Sequence, residues 1–314
     1  MKAYIFLGKK DIVLHNQIEL RNSMFFSYRI FIKFAYCLLL CLLATAFLSA
    51  QEPIPIWPEN SLRKARKVTV KPYIAESSDL AIIVCPGGSY FWLDMETEGD
   101  CVARWLQSNG ISAFVLKYRV AGFSAFFWNH RSKKHGNQYP DMLNDAQQAI
   151  KWVRNHAKEY HIKPNKVGIM GFSAGGHLSM STICYSSKEQ RPSFAAPIYP
   201  VVTMNPPYVH KRSRRALLSE RRQNDQVMRD SLSLELHIPA DCPPVFLVNC
   251  VDDPIVKYHN SMLLDSALTA KNIKHKYIQY QTGGHGFGAS EEKGSEECRQ
   301  WKNEFLKWLK ENIY

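Results

Sequence analysis

The chain has no segment rich in proline, glycine or serine after residue 51 that would divide it into two parts. Such segments often mark domain boundaries, so this lack favours a single domain over residues 51–314. The cysteines show neither a C-x-x-C framework nor a zinc-ligand spacing. No finger, repeat or RNA-binding signature appears either. We therefore expect neither a bound metal nor a nucleic-acid partner.

The chain also lacks an apolar run long enough for a typical membrane span, which needs roughly 20 residues. The run at residues 34–48, FAYCLLLCLLATAFL, is shorter; basic residues precede it, and Ser49 and Ala50 follow it. This order is typical of a secretory signal peptide. We predict a signal peptide over residues 1–50, cleaved after Ala50, and a secreted or periplasmic protein without stable membrane insertion. An uncleaved anchor is the alternative, and translation from Met24 would give a more ordinary signal.

Negative charge is scarce relative to positive charge. Lys and Arg number 40 against 28 Asp and Glu, which gives a formal net charge of +12. Cleavage after Ala50 would lower this net charge to +8. The densest basic run, KRSRRALLSERR at Lys211–Arg222, is interrupted by apolar residues and favours a solvated, partly helical face. Six cysteines would remain, and export would permit disulfides, whose pairing the sequence leaves open.

Short apolar runs alternate with longer amphipathic segments along most of the chain. Buried parallel strands read as continuous apolar runs, as AIIVC, VGIM and VFLVNC do. The alternation predicts an α/β protein with a mostly parallel, twisted sheet and helices on both faces. The predicted strands are 68–74, 81–85, 113–118, 166–170, 195–199, 245–250 and 276–280; the predicted helices are 97–108, 141–160, 174–184, 259–271 and 297–312.

A candidate nucleophile follows the predicted strand KVGIM. The sequence there is Gly171-Phe172-Ser173-Ala174-Gly175, a G-x-S-x-G pattern between a strand and a helix. Small residues on either side of the serine permit a tight turn that holds its hydroxyl clear of the sheet. The helix N-terminus behind it supplies N–H groups and partial positive charge. We therefore predict Ser173 as a nucleophile.

A serine nucleophile needs a base, and the base needs an orienting carboxylate. In sheets of this kind the order along the chain is Ser, Asp, His. The strand VFLVNC ends at Asp252 and Asp253, and we prefer Asp253 because the D-x-x-V pattern after it turns the carboxylate toward the site; Asp252 is the alternative. The predicted base is His285, which lies between glycines, whereas His259 lies in a predicted helix and His275 precedes a strand.

Two loops are expected to supply N–H donors for a developing oxyanion. One donor is the backbone N–H of Ala174, directly after the nucleophile. The other loop is PGGSY, which follows the early strand AIIVC, and we assign the N–H groups of Gly88 and Ser89 to it. A simple turn without this role is the alternative.

Aromatic residues close to these loops are candidate substrate contacts. Tyr90 and Trp92 follow the PGGSY glycines, and Trp128 lies in the aromatic segment 121–138 with Phe126. Aromatic faces stack on sugar rings and on apolar acyl groups. Packing of the loop onto the body of the protein explains these residues equally well.

Together, the segments PGGSY, MGFSAGGHL, IYPVVTM, PPVFLVNCVDDPIV and GGHGFG resemble bacterial α/β-hydrolases of the acetylxylan esterase and feruloyl or acetyl esterase type. The resemblance covers residues 53–312. It implies the α/β-hydrolase fold and the deacylation of plant polysaccharides or their fragments by an exported enzyme. The serine mechanism predicted from the residues needs no cofactor. By this resemblance, the triad and the oxyanion hole are Ser173, Asp253 and His285, and Gly88, Ser89 and Ala174.

The sequence departs from the family pattern at a few places. Ser89 stands where the family has a third glycine, and Lys257 where a proline is usual after D-P-x-V. Segment 121–138 is longer and more aromatic than is typical. These departures bear on the identity of the substrate more than on the chemistry.

Other functions fit parts of the same pattern. A prolyl-oligopeptidase-like serine peptidase shares the fold and the triad order, but the chain carries no propeller-type N-terminal domain. A general carboxylesterase differs from a carbohydrate esterase only in its substrate. A non-catalytic carbohydrate-binding protein is disfavoured because every member of the triad is present.

Overall fold

The computed structural model describes Lys33 and residues 52–76, 78–127 and 137–314. Trp128 and nearly all of the predicted signal peptide lie outside these ranges. The chain divides into two units after Ala50, and the second unit, Gln51–Tyr314, contains the sheet. Within the described ranges, every helix is too short or too polar to cross a lipid bilayer.

The strands of the structure form one eight-stranded sheet. They are β1 (Ile54–Pro55), β2 (Thr69–Tyr73), β3 (Ala81–Cys85), β4 (Ser112–Lys117), β5 (Val167–Phe172), β6 (Ala195–Ile198), β7 (Val245–Cys250) and β8 (His275–Tyr280). Their spatial order is β1-β2-β4-β3-β5-β6-β7-β8. β2 pairs antiparallel with β1 and β4, and all other neighbours are parallel. The predicted mostly parallel sheet is confirmed.

The predicted strand bounds agree closely with the structure. β3 and β7 occupy the predicted residues, and the ends of the other predicted strands lie within two residues of the observed ends. β1 was not predicted, because two residues are too few to show an alternating pattern. It pairs only with β2, at the edge of the sheet, so its absence from the prediction does not affect the candidate site.

Helices connect most of the strands. They are α1 (Cys101–Ser108), α2 (Phe123–Phe127), α3 (Asp141–Asn155), α4 (Ala174–Tyr185), α5 (Lys211–Arg222), α6 (Gln226–Ser231), α7 (His259–Ala270), α8 (Glu296–Arg299) and α9 (Trp301–Asn312). Predicted helix 97–108 is a π-helical turn, Glu96–Asp100, followed by α1. Predicted helix 297–312 is divided between α8 and α9. Helices α2 and α6 were not predicted; each has six residues or fewer, too short for a clear period.

The predicted solvated face at Lys211–Arg222 needs a correction. The segment forms α5, interrupted at Ser219, where φ is 64°. Lys211 and Arg212 are exposed, but the Ala-Leu-Leu residues 216–218 are buried in the core. The apolar residues that interrupt the basic run therefore attach this helix to the body of the protein.

A hydrophobic core lies on each face of the sheet, because successive side chains of a strand point to opposite faces. On β3, Ile83 packs with residues of α3, α4 and α7. Its neighbour Ile82 packs on the other face with residues of α1 and α9. The structure therefore confirms helices on both faces. The loops that follow β3, β5, β7 and β8 leave the parallel strands at the same edge of the sheet.

Phe305 tests how strongly α9 stabilises the sheet. Its side chain is fully buried, and its ring centroid lies 5.2 Å from that of Phe246 on β7. We expect Phe305→Ala to lower the free energy of unfolding by about 3–5 kcal/mol, measured by urea denaturation, because it leaves a cavity. The matched control is Lys307→Ala on the exposed side of the same helix, with an expected change within about 0.5 kcal/mol. An equal loss of unfolding free energy in the two variants would contradict the role of Phe305 in the core.

Candidate active site

Ser173 lies in a strained turn between β5 and α4. Its φ is 54° and its ψ is −115°, a region that residues other than glycine rarely adopt. The turn is tight: a Cβ on Gly171 would collide with the carbonyl of Gly175, and a Cβ on Gly175 would collide with the carbonyl of Cys85. The small residues of the G-x-S-x-G pattern are therefore required by contact between backbones.

The structure brings the three predicted triad side chains into one hydrogen-bonded line. Nδ1 of His285 lies 2.6 Å from Oδ2 of Asp253, and Nε2 lies 2.8 Å from Oγ of Ser173. A carboxylate only accepts hydrogen bonds, so Nδ1 carries the proton and donates it to Asp253. Nε2 is then the acceptor for the Ser173 hydroxyl. This arrangement can remove a proton from the hydroxyl when its oxygen attacks an electrophile.

The two adjacent aspartates have different partners. The second carboxylate oxygen of Asp253 accepts from the backbone N–H groups of residues 255–256, at 2.8 and 2.9 Å. Asp252 instead accepts from the N–H groups of Gly283 and Gly284, at 3.2 and 2.8 Å. Asp253 therefore contacts the imidazole of His285, whereas Asp252 holds the backbone of the loop that carries it.

The predicted oxyanion loop adopts unusual backbone angles. Gly88 has φ 126° and Ser89 has φ 57°. Ser89 therefore adopts a left-handed conformation although it replaces the third glycine of the family pattern. The N–H of Gly87 donates to Oε2 of Glu98 at 2.7 Å. The N–H groups of Gly88, Ser89 and Ala174 have no hydrogen-bond acceptor among the residues that the structure describes. These are the three groups that the sequence assigns as oxyanion donors.

The candidate aromatic contacts separate into two groups. Tyr90 is fully buried and its hydroxyl donates to Nδ1 of His177 at 2.9 Å, so direct contact between Tyr90 and substrate does not fit the structure. Burial lowers the pKa of His177 to about 4, which keeps this imidazole neutral. Trp92 is partly exposed and stacks on Phe123 of α2, with ring centroids 5.5 Å apart. Trp92 stays a candidate contact, and Trp128 lies outside the described residues.

Glu98 is a buried carboxyl group that sequence reasoning missed. It lies in the π-helical turn, is 3% exposed and accepts from the N–H of Gly87 and from the Tyr199 hydroxyl, at 2.7 and 2.8 Å. The Tyr199 oxygen in turn accepts from the N–H of Gly288 at 3.0 Å. The Tyr199 ring centroid lies 4.6 Å from that of His285. Glu98 and Tyr199 therefore connect the oxyanion loop to the histidine loop.

The charge state of Glu98 is set by opposing effects. Burial raises the pKa of Glu98, while His285 and the two hydrogen-bond donors act in the opposite direction. No sequence signal marked this residue, because a glutamate in the predicted helix 97–108 is usually a solvated side chain.

Within the described ranges, no group of three or more His, Cys, Asp and Glu side chains is arranged to hold a metal ion.

Comparisons with known proteins place the chain in a family. The model of the BD-FAE family matches residues 74–268. An acetylxylan esterase of Xylanibacter ruminicola is 33% identical over 227 residues, which cover 72% of this chain and 44% of the relative. Endo-1,4-beta-xylanase B of Butyrivibrio fibrisolvens is 29% identical over 216 residues, which cover 65% of this chain and 32% of the relative. The chain thus spans less than half the length of these curated relatives.

Solved structures show the same fold. The acetyl ester-xyloside bifunctional hydrolase of Caldicellulosiruptor lactoaceticus matches with a TM-score of 0.71 and 31% identity, over 83% of this chain and 96% of that chain. An α/β-hydrolase from a Medee basin deep-sea metagenome matches with a TM-score of 0.62 and 21% identity, over 83% and 96%. The second likeness concerns the fold alone. The expected α/β-hydrolase fold is confirmed.

Glu98→Gln tests whether the buried carboxylate holds the reactive geometry. An amide offers one acceptor oxygen in place of two, so either Gly87 or Tyr199 loses its acceptor. One such hydrogen bond contributes about 1 kcal/mol, so we expect the rate at which a fluorophosphonate labels Ser173 to fall by roughly five- to tenfold. The control is Glu96→Gln, an exposed glutamate in the same turn. Equal labelling rates in both variants would contradict the role of Glu98.

Proposed function

This chain belongs to the BD-FAE family of α/β-hydrolases, and from that premise we propose that it is a serine ester hydrolase that removes acetyl groups from xylan or its oligosaccharides. The observation that carries this proposal is the line Asp253–His285–Ser173, with contacts of 2.6 and 2.8 Å. A hydroxyl, an imidazole and a buried carboxylate in this order form the arrangement that activates a serine for acyl transfer.

In the first half of the reaction, Oγ of Ser173 attacks the ester carbonyl carbon and His285 takes the hydroxyl proton. The carbonyl oxygen becomes an oxyanion, which the N–H groups of Gly88, Ser89 and Ala174 stabilise. The bond between the carbonyl carbon and the alcohol oxygen then breaks. His285 gives its proton to the leaving sugar oxygen, which departs as a hydroxyl, and the acetyl group stays on Ser173.

In the second half, water replaces the sugar alcohol. His285 takes a proton from water as its oxygen attacks the acetyl carbon, and the same N–H groups hold the second oxyanion. The bond to Oγ breaks, Ser173 regains its proton from His285, and acetic acid leaves and ionises to acetate in water. Asp253 stabilises the imidazolium that forms in each half and keeps the tautomer correct.

The acetyl group and the xylan alcohol are inferred from the relatives. The Xylanibacter protein is named as an acetylxylan esterase, and the Caldicellulosiruptor structure as an acetyl ester-xyloside hydrolase. Xylan is an extracellular polymer, so the predicted signal peptide and export fit this substrate. A general carboxylesterase and a prolyl-oligopeptidase-like peptidase use the same triad, and substrate assays separate them from the proposed function.

Ser173→Ala tests the nucleophile. We expect acetate release from acetylated xylan to fall by more than about 10³-fold, with thermal unfolding close to that of the parent protein, because alanine removes only the attacking oxygen. The parent protein is assayed in parallel on acetylated xylooligosaccharides, 4-nitrophenyl butyrate and dipeptide anilides. If the variant is as active as the parent protein, Ser173 is not the nucleophile. If the parent protein prefers a dipeptide anilide, the proposed esterase activity is wrong.

Asp253→Asn and Asp252→Asn form a matched pair of neighbouring substitutions. The one acceptor oxygen of asparagine at 253 serves the N–H groups of residues 255–256, so its NH2 group faces Nδ1 of His285 and favours the wrong tautomer. We therefore expect kcat to fall by about 10³- to 10⁴-fold. Asparagine at 252 keeps one acceptor for the histidine loop, so a loss of about tenfold or less is expected. The measurement is kcat for acetate release. A larger loss at 252 than at 253 would contradict the assignment of Asp253.

A further inference from the structure

The basic run on α5 forms part of a pocket. Lys211, Arg212, Arg214 and Arg215 line it with Phe126, and its volume is about 290 Å³. Gln223 completes the described lining, which contains four cationic side chains and no carboxylate. Four cations on one small concave surface create a positive potential that attracts anions.

The arginines of this pocket keep unused hydrogen-bond donors. Arg214 is 8% exposed, and its Nη1 donates to the carbonyl of Met204 at 3.2 Å. The Nε groups of Arg214 and Arg215 are buried without a hydrogen-bond acceptor among the described residues. Glu220 forms an ion pair with Arg215, but its carboxylate oxygen lies 3.8 Å from Nε, too far for a hydrogen bond. Nη2 of Arg215 donates to the carbonyl of Phe126 at 3.1 Å. Buried cationic groups with unused donors are costly unless an anion reaches them.

The pocket lies beside the candidate active site. Arg212 lies over the ring of Trp92, at 5.8 Å from the centroid, and the N–H of Trp92 donates to the carbonyl of Gly88 in the oxyanion loop. His210, directly before α5, is close enough to the triad for the charges of His285 and Asp253 to affect its pKa. Burial, together with the smaller effects of the Arg212 and His285 charges, lowers the pKa of His210 to about 4.

We propose that this pocket, the basic subsite, binds the carboxylate of a uronic acid carried by the acetylated sugar chain. The inference rests on the proposed function and deepens it. An acetyl group carries no charge, so an anion that binds beside the oxyanion loop belongs to the alcohol part of the ester. Arginine forms paired hydrogen bonds to carboxylates, which suits such a group better than a neutral sugar.

The experiment compares three acetylated xylotetraoses. One carries a single 4-O-methylglucuronic acid branch, the second carries the methyl ester of that branch, and the third has no branch. We expect kcat/KM for acetate release to be roughly tenfold higher for the acid than for its methyl ester, because only the acid offers a charged acceptor. Added salt should reduce this preference, since Arg212 is exposed to solvent.

Arg212→Gln and Arg221→Gln assign the preference to the basic subsite. Both residues are exposed on α5, but only Arg212 lines the pocket. We expect Arg212→Gln to lower the ratio of kcat/KM for acid over methyl ester by at least threefold, and Arg221→Gln to leave that ratio unchanged. Using a ratio separates charge recognition from any packing effect on Trp92.

Three results would overturn the inference in distinguishable ways. Equal kcat/KM for the acid and its methyl ester, with acetate released from both, would reject the basic subsite and leave the proposed esterase standing. An equal fall for both substrates in Arg212→Gln would assign Arg212 to packing alone. No acetate from any of the three substrates would reject the proposed function, and the inference with it.

Discussion

The backbone of Ser173, held at a positive φ, is the constraint on which the rest of the site depends. This conformation directs the hydroxyl away from the sheet, and it is kept only because Gly171 and Gly175 let neighbouring backbones touch. The parallel order of β3, β5, β7 and β8 then brings the other loops to the same edge. A different register of any of these strands would move a loop N–H group, Asp253 or His285 away from the hydroxyl.

Buried polar contacts between loops make this convergence specific. Asp252 binds the backbone of the histidine loop, while Glu98 and Tyr199 connect that loop to the oxyanion loop. Loops on a sheet edge are usually its least constrained parts. Here carboxylates and a phenol hold them, so Ser173 and His285 can stay within hydrogen-bond distance.

Charge and aromatic surface occur together beside the triad. Arg212 and Arg215 lie over the rings of Trp92, Phe91 and Phe126, with distances to the ring centroids of 5.0–6.0 Å. Planar guanidinium groups stack on aromatic faces and still present donors at their edges. This combination of charge and aromatic rings supports the proposed basic subsite for an anionic sugar.

Much of the fold and the central line of the site follow from local patterns. Continuous apolar runs predicted β3 and β7 to the residue, and turn glycines with the order Ser, Asp, His predicted which side chains meet. Apolar runs and turn glycines involve residues that are close together in the sequence, so the sequence alone predicts them. The two-residue β1 and the short helix α2 left too few residues for a period.

Contacts between distant segments needed the tertiary structure. Glu98 meets Tyr199 across 101 positions of chain, and Tyr90 is enclosed by residues that no local pattern identifies. The choice between Asp253 and Asp252 likewise depends on where the histidine loop lies. The sequence determined the order of the strands along the chain and the types of reactive groups at their ends. Only packing decided which polar groups are buried and paired, because burial depends on residues far away along the chain.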